Sequence, residues 1–331
     1  MILVRTPFRL PLGGGGTDLP PYYQKFEGYL VTAAINKYMF ISINQPALVD
    51  RIKVKYSKSE SVGLGELDKI QHDIARETLR YLGLNQPIEI TSTADLSAGT
   101  GMGSSGSYTV GLLNGLNTML RRHMSVHDLA EQACKVEMEF AKKPVGKQDQ
   151  FAAAFGGVNL LEIDRAGVVK VTPLELEHEI VNELENRLMM FYTHVERDAS
   201  EILKEQGKKV TADESAATNS MHRIKEIGMR SAEALQRGDI TAFGKLMHEH
   251  WAEKKKISSK MSMNKIDEYY DIAMKCGALG GKIMGAGGGG FMVFCIEPGR
   301  RKDLRTAMEK TGLRYMDFKF DWNGSTVLVN V

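Results

Sequence analysis

Apolar and polar residues alternate in short runs over the first ninety positions, a pattern typical of half-buried β-strands. The alternation and the enrichment in β-branched and aromatic residues predict strands over 2–10, 51–56 and 88–93. Residues 29–43 are predicted to form two paired strands with a turn near Asn36-Lys37. Apolar positions at helical spacing predict a helix over 66–82. This half of the chain is therefore predicted to be rich in β-structure.

Helical spacing becomes more frequent after residue 100. It predicts a helix after the 94–107 loop, one from Ser125 to about residue 142, a short one over 151–155, and mostly helix over 211–274. Strands are predicted within 158–171, at 188–193 and at 291–296, followed by a helix over 301–310 and a strand over 325–331. Strands early and helices later favour an α+β fold over a regular βαβ array. We place a domain boundary near 170–187, which gives domains of 1–180 and 181–331.

The amino-acid composition limits the kinds of molecule that the protein is expected to bind. The 331 residues are 43% hydrophobic and 25% charged, as is usual for a globular protein, and 43 basic against 41 acidic residues give a net charge of +2. A charge so close to zero predicts neither a nucleic-acid nor a membrane-surface partner. The basic cluster Lys254-Lys255-Lys256 is interpreted as a solvated helix face. The histidines His194, His248 and His250 are interpreted as structural or surface residues.

Cysteine usage and hydropathy predict the compartment. The three cysteines, Cys134, Cys276 and Cys295, have neither disulfide-framework nor metal-ligand spacing, which fits a reducing cytosol. The first ten residues lack the apolar core of a signal peptide. No run of about 18 apolar residues occurs, so no bilayer span is expected. We therefore expect a cytoplasmic protein that does not cross a membrane.

The strongest chemical signal is the glycine-serine loop 94–107, between a predicted strand and a predicted helix. Glycines let a ligand approach the backbone, and the free N–H groups of a helix N-terminus attract anions. The loop therefore predicts a phosphate-binding site. Its predicted contact residues are Gly99, Gly101, Gly103, Ser104, Ser105 and Gly106.

Other interpretations of this loop remain open. It could be a flexible linker with a serine cap, and residues 101–106 match GxGxxG, which alone is weak evidence for dinucleotide binding. A dinucleotide fold needs an acidic residue about 20 positions further on. Leu120-Arg-Arg-His123 stands there instead. A nucleotide-binding P-loop of the GxxxxGK[ST] type is absent from the sequence.

Two more glycine runs, at 13–16 and 285–290, lie beside predicted strands. Ordering three such loops costs chain entropy, so a purely structural role for all of them is disfavoured. Together they carry a resemblance to the GHMP kinase superfamily. The 7–18 segment resembles its first motif and 282–290 its third. Residues 101–106 resemble the second, commonly GLGSSAA, with Met102 in place of Leu and Gly106 in place of Ala.

The resemblance implies a two-domain GHMP kinase fold of the α+β class, with a ribosomal S5 domain 2-like N-terminal domain and a ferredoxin-like C-terminal domain. It also implies ATP and Mg²⁺, bound in a cleft between the domains. By the same resemblance, Asp149 is the catalytic residue, Arg9 stabilises charge on the transferring phosphoryl group, and Glu137 and Ser105 bind the metal. The residues expected to contact the substrate are Gly16, Thr17, Asp18, Gly287 and Gly288.

Three of these residues could instead have an ordinary structural role. Asp149 could cap a helix, Arg9 could be a surface cation, and Asp18 could form an Asx turn. Glu139, two residues from Glu137, would face elsewhere on a helix.

Residues 13–22 and 144–157 resemble the branch of heptose-phosphate kinases and fucokinases. That branch implies ATP-dependent phosphorylation of the anomeric hydroxyl of D-glycero-α-D-manno-heptose 7-phosphate to the 1,7-bisphosphate, in GDP-heptose biosynthesis for surface polysaccharide. A small-molecule sugar phosphate needs cations, for which Lys147 and Arg197 are the candidates. A fucokinase or other free-sugar kinase is the alternative, and a non-catalytic sugar or nucleotide sensor is the alternative from a different class. The oligomeric state is left open.

Overall fold

A computed structural model describes residues 1–195, 215–257, 264–285 and 289–331. Arg197, Gly287 and Gly288 lie outside these residues. Within the described residues the strands form two sheets. The first sheet contains β1 (Ile2–Gly13), β2 (Gly28–Asn44), β3 (Arg51–Lys55), β4 (Ser59–Gly63), β5 (Ile88–Ala94), β6 (Val158–Ile163), β7 (Val169–Pro173) and β12 (Thr326–Asn330). The second sheet contains β8 (Leu188–Tyr192), β9 (Ala278–Ile283), β10 (Phe291–Ile296) and β11 (Arg314–Met316).

The helices connect and cover these sheets. They are α1 (Pro20–Phe26), α2 (Asp73–Leu82), α3 (Ser104–Met119), α4 (Val126–Lys135), α5 (Gln148–Phe155), α6 (His178–Arg187), α7 (Ser215–Gln236), α8 (Ile240–Ile257), α9 (Asn264–Lys275) and α10 (Arg301–Lys310). A short 3₁₀ turn spans Leu67–Lys69, and a π-helical turn spans Val136–Phe140 directly after α4. Among the described residues, none of the helices combines the length and the hydropathy that crossing a lipid bilayer requires.

The long strand β2 organises the first sheet. β1 pairs with it antiparallel along its length, β6 pairs with its first part and β5 with its second part. The prediction of two strands with a turn near Asn36-Lys37 is wrong. Pro7 pairs with Tyr38 and Phe8 with Ile35, so the two intervening residues form a bulge rather than a turn. Because β1 remains paired on both sides of that bulge, β2 continues as one strand.

Several other helices and strands differ from those predicted from the pattern of apolar and polar residues. The predicted 66–82 helix is interrupted, and only Asp73–Leu82 is α-helical, with His72 capping its first turn. The strands β4, β9 and β11 and the helices α1 and α6 were not predicted. α6 lies in an acidic stretch but buries Leu184. β9 contains two glycines, which are depleted in strands generally.

A helical hairpin links the two sheets. α7 packs against α8 and against β1 and β2, while α8 packs against β9 of the second sheet. This second contact is close because of Gly280: a Cβ built there would lie 2.2 Å from the Gly244 carbonyl oxygen of α8. Glycine at this point therefore lets α8 lie directly on β9.

The end of the chain returns to the first sheet, where β12 pairs antiparallel with β1. A strand from the predicted 181–331 segment thus completes the sheet built by the 1–180 segment. The division into domains at residue 180 stays a prediction.

Candidate active site

The three segments with glycine runs come together around one cavity of about 230 Å³. Its walls are the 94–107 loop, the loop after β1, the segment before α5, and parts of α8 and β9. The side chains and backbone that line it are Arg9, Pro11, Gly15, Gly16, Asp18, Leu19, Ala98, Gly99, Gly101, Gly103, Ser104, Ser105, Val145, Gly146, Gln148, Asp149, His250, Lys254, Lys282, Ile283 and Gly285.

The glycine-serine loop has the geometry that its sequence predicts. β5 ends at Ala94, and the 16-residue helix α3 begins at Ser104, with Gly103 at the N-cap position in the left-handed region (φ 83°). Five of the six predicted contact residues line the cavity, and Gly106 lies behind them. The unpaired N–H groups and the positive dipole end of α3 are therefore available to an anion.

Arg9 and Asp149 form a two-point ion pair at the cavity wall. Arg9 Nε donates to Asp149 Oδ1 at 2.7 Å and Nη2 donates to Oδ2 at 3.1 Å, while Nη1 donates to the Gly101 carbonyl at 2.6 Å. Arg9 is only 5% exposed, which excludes the alternative that it is an ordinary surface cation. The fork fixes the carboxylate plane and ties it to the phosphate-binding loop.

Gly106 decides how closely α5 approaches α3. A Cβ built at this position would lie 2.7 Å from the Asp149 Cβ. The family motif has alanine here, so this chain holds its aspartate closer to α3 than an alanine would allow without a shift of the backbone.

We expect Gly106→Ala to displace Asp149 and to lower kcat by about 10- to 100-fold, since displacements near 1 Å at reacting groups have effects of that order. Steady-state kinetics and thermal unfolding of the variant provide the measurement. An unchanged kcat with an unchanged melting temperature would show that the close contact is irrelevant to activity.

Glu137 is fully buried in the π-helical turn, a type of distortion that is frequent at functional sites. Its carboxylate accepts hydrogen bonds from the Ser105 hydroxyl and from Gln150 Nε2, the latter at 3.0 Å. Burial raises the pKa of Glu137 to about 7. Glu139 is exposed, which favours Glu137 as the functional member of the two.

The chemistry of this pair fits a magnesium ion. Ser105 lines the cavity, and its hydroxyl contacts the carboxylate of Glu137, which is buried behind it and does not itself line the cavity. A cation would offset the cost of burying that carboxylate. Within the part of the chain that the structure describes, no group of three or more His, Cys, Asp or Glu side chains could hold a metal ion alone. Mg²⁺ usually keeps water and substrate phosphate among its ligands, so two protein oxygens are sufficient.

Asp18 is a buried residue that lines the same cavity. Its carboxylate accepts hydrogen bonds from the Gly16 and Gln148 amides, each at 3.1 Å, and burial raises its pKa. The neighbouring Thr17 does not line the cavity: its hydroxyl donates to the Gly14 and Tyr29 carbonyls. Thr17 therefore holds the loop in place, and Gly16 and Asp18 face the cavity.

Lys147 is not brought into this cavity. Its ammonium donates to Glu131 at 2.9 Å and to the Gly167 carbonyl at 2.6 Å, and it lines a separate cleft next to α4. An ion pair already occupies this lysine, which weakens the prediction that it receives a substrate phosphate. Its partner in that prediction, Arg197, is outside the described residues.

Three basic residues line this cavity, although they were not predicted to belong to the site. The interpretation of Lys254 as part of a solvated helix face is wrong, because it is only 8% exposed. His250 and Lys282 are also buried. The signal in the sequence was the four-residue spacing of His250 and Lys254, which places them on one helix face.

Comparison with known proteins identifies the family to which the chain belongs. The family model described as "GHMP kinases N terminal domain" matches residues 69–157, and the one described as "GHMP kinases C terminal" matches residues 231–313. The chain is 31% identical to D-glycero-alpha-D-manno-heptose 7-phosphate kinase of Campylobacter jejuni, over 98% of this chain and 97% of the relative. It is 27% identical to a galactokinase of Pyrococcus furiosus, over 99% of this chain and 97% of the relative.

A solved structure has the same fold. The crystal structure of a D-glycero-D-manno-heptose 1-phosphate kinase from Bacteriodes thetaiotaomicron superposes with a TM-score of 0.82 and 27% identity, covering 100% of both chains. The chain belongs to the GHMP kinase family, and the predicted family and fold class are confirmed. Within that family it is a sugar kinase, a phosphotransferase whose phosphate donor is ATP.

Proposed function

We propose that this kinase transfers the γ-phosphate of ATP to the anomeric hydroxyl of D-glycero-α-D-manno-heptose 7-phosphate and forms the 1,7-bisphosphate. The Campylobacter jejuni relative, named for that substrate and aligned over nearly the whole chain, supports the choice of sugar. The product would feed GDP-heptose biosynthesis for surface polysaccharide. Because ATP is the donor, we place the reaction in the cytoplasm.

The observation that carries the proposal is the ion pair of Arg9 and Asp149, which is tied to two differently built parts of the cavity. Arg9 donates to the Gly101 carbonyl of the anion-binding loop, and Asp149 follows Gln148, whose amide binds the buried Asp18. Phosphates of ATP fit the first part and sugar hydroxyls the second. The reacting hydroxyl would then meet the γ-phosphorus beside Asp149.

The chemistry follows from these positions. The sugar oxygen forms a bond to the γ-phosphorus, the bond to the β,γ-bridging oxygen breaks, and ADP leaves. Asp149 orients the attacking hydroxyl and takes up its proton. A carboxylate at this position is sufficient for a loose transition state, in which the hydroxyl proton departs late. Arg9 stabilises the charge on the transferring group.

Glu137 and Ser105 are the residues that would hold Mg²⁺, which supplies charge neutralisation for the phosphates. Asp18, fixed by two backbone amides, would accept hydrogen bonds from sugar hydroxyls. Gln148 also lines the cavity, and its buried side-chain nitrogen has no hydrogen-bond partner within the described residues. It is a further donor for a hydroxyl oxygen. We propose that Gly287 and Gly288 complete the substrate contacts.

A free sugar is the second candidate substrate. The galactokinase relative, aligned over nearly the whole chain, favours it. Coupled ADP-release kinetics with Mg-ATP against heptose 7-phosphate, mannose 6-phosphate, free heptose, fucose and galactose would separate the two. We expect the highest kcat/KM for heptose 7-phosphate. Turnover of a free sugar alone would keep the kinase and reject the proposed substrate.

A further inference from the structure

The end of the cavity formed by α8 and β9 is lined by three basic side chains with few partners. Lys254 Nζ donates to the Gly285 carbonyl at 2.5 Å, and Lys282 Nζ donates to the Leu12 carbonyl at 3.2 Å. An ammonium group has three donors, so each has capacity for more. Both ring nitrogens of His250 are buried without a hydrogen-bond partner among the described residues.

Burial makes this arrangement costly without a ligand. His250 is 2% exposed, Lys282 is 1% exposed and Lys254 is 8% exposed. Within the described ranges, none of the three forms a salt bridge with an acidic side chain, although Asp18 and Asp149 line the same cavity. Buried charges are ordinarily paired, so an anion bound in the cavity would supply the counter-charge that the two ammonium groups lack in these ion-pair contacts.

The fold holds these groups together. His250 and Lys254 are four residues apart on α8 and share one helix face. The contact of Gly280 with Gly244 places that helix on β9, the strand that carries Lys282. The cluster therefore belongs to two packed elements rather than to a surface loop.

Electrostatics agree with this geometry. Burial, with Arg9 as a further positive neighbour, lowers the pKa of Lys254 to about 8, and the Asp18 carboxylate offsets only part of this effect. Burial and the neighbouring Lys254 lower the pKa of Lys282 well below its ordinary value. A bound anion would stabilise the charged form of both lysines. A phosphate monoester carries a charge of about −1.5 to −2 near neutral pH and has several acceptor oxygens.

We infer that Lys254, Lys282 and His250 form the binding site for the phosphate group that the sugar substrate already carries. This inference rests on the proposed function. The nucleotide phosphates have their own site at the N-terminus of α3. The Lys282 ammonium, by contrast, contacts Leu12, directly before the loop that carries Gly16 and Asp18 on the sugar side. Lys254 and His250, rather than Lys147, are the residues of this chain that recognise a phosphorylated acceptor.

The test is steady-state kinetics of Lys254→Met, which keeps the length of the side chain and removes the charge. We expect KM for heptose 7-phosphate to rise about 10- to 100-fold, as befits the loss of one charge-assisted hydrogen bond. KM for ATP should change less than about 2-fold. Lys256→Met is the matched control, because Lys256 is exposed on the same helix and pairs with Glu253. It should leave both constants unchanged.

A rise in KM for ATP instead would assign the cluster to the terminal phosphate of the nucleotide and overturn the inference. Unchanged KM values for both substrates would overturn it as well. Thermal unfolding checks the fold; removal of an unpaired buried cation should not lower the melting temperature. His250→Gln, which retains hydrogen-bonding capacity, is the second variant and should raise KM for the sugar phosphate less than Lys254→Met does.

A binding measurement separates this inference from the proposed function. Isothermal titration with inorganic phosphate requires no turnover and should detect binding to the wild-type protein that weakens at least about 10-fold in Lys254→Met. If that result holds while heptose 7-phosphate is not a substrate, the phosphate site stands and the choice of sugar fails. If heptose 7-phosphate is turned over with equal KM by wild type and Lys254→Met, the function stands and the site fails.

Discussion

Replacement of Asp149 by asparagine should lower kcat by about 10²- to 10⁴-fold, the range expected for loss of a positioned proton acceptor. Asparagine has nearly the same shape and leaves room for substrate, so KM for ATP should remain within about 3-fold of the wild-type value. Arg9 loses its ionic partner but keeps the Gly101 carbonyl at 2.6 Å. Rapid-quench measurement of the first turnover would report the chemical step directly.

The control for this variant is Glu131→Gln. Glu131 forms a comparable ion pair with Lys147 at 2.9 Å, outside the cavity. Breaking that pair tests the effect of a lost salt bridge alone and should leave kcat unchanged, even if the melting temperature falls. An equal loss of kcat in both variants would contradict a chemical role for Asp149.

Glu137→Gln should raise the Mg²⁺ concentration needed for half-maximal rate by about 10- to 100-fold, an effect typical of disrupted metal sites. Glutamine can still interact with the Ser105 hydroxyl and with Gln150, so the local hydrogen bonds can persist. The substitution therefore removes mainly the negative charge that would face the metal. Titration of the rate with Mg²⁺ at saturating ATP and sugar measures it, and removal of divalent ions with EDTA should abolish turnover of the wild type.

Glu139→Gln is the matched control for that experiment. Glu139 lies two residues away in the same π-helical turn, but its side chain is exposed. The reaction rate of this variant should depend on Mg²⁺ concentration as the rate of the wild type does. A weakened Mg²⁺ response in Glu139→Gln, with a normal response in Glu137→Gln, would mean that the wrong carboxylate has been assigned.

The sequence predicts those parts of the site that depend on local backbone chemistry. A glycine-serine loop before a helix offers its own backbone N–H groups to an anion, so the prediction of Ser104 and Ser105 as site residues needs only neighbouring residues in the chain. The two-residue bulge at Asn36-Lys37 could not be predicted in this way. It exists because β1 remains paired on both sides, a contact with a strand more than twenty residues away.

The buried cations show the same limit. Lys254 stands in a run of three lysines, which locally resembles a solvated helix face. Its burial depends on the packing of α8 against β9, where Gly244 of the same helix meets Gly280 of a strand that lies beyond the end of that helix. Lys147 illustrates the reverse: it is two residues from Asp149 in the chain, yet its ammonium turns away to Glu131. Sequence proximity to a catalytic residue did not indicate proximity of the charged atoms.

The most direct test of the proposed reaction is phosphorus-31 NMR of the product formed from heptose 7-phosphate and Mg-ATP. We expect a sugar with two phosphate signals, the new one coupled to the anomeric proton, and ADP in equal amount. A new phosphate on another hydroxyl, or ADP formed without a phosphorylated sugar, would contradict it.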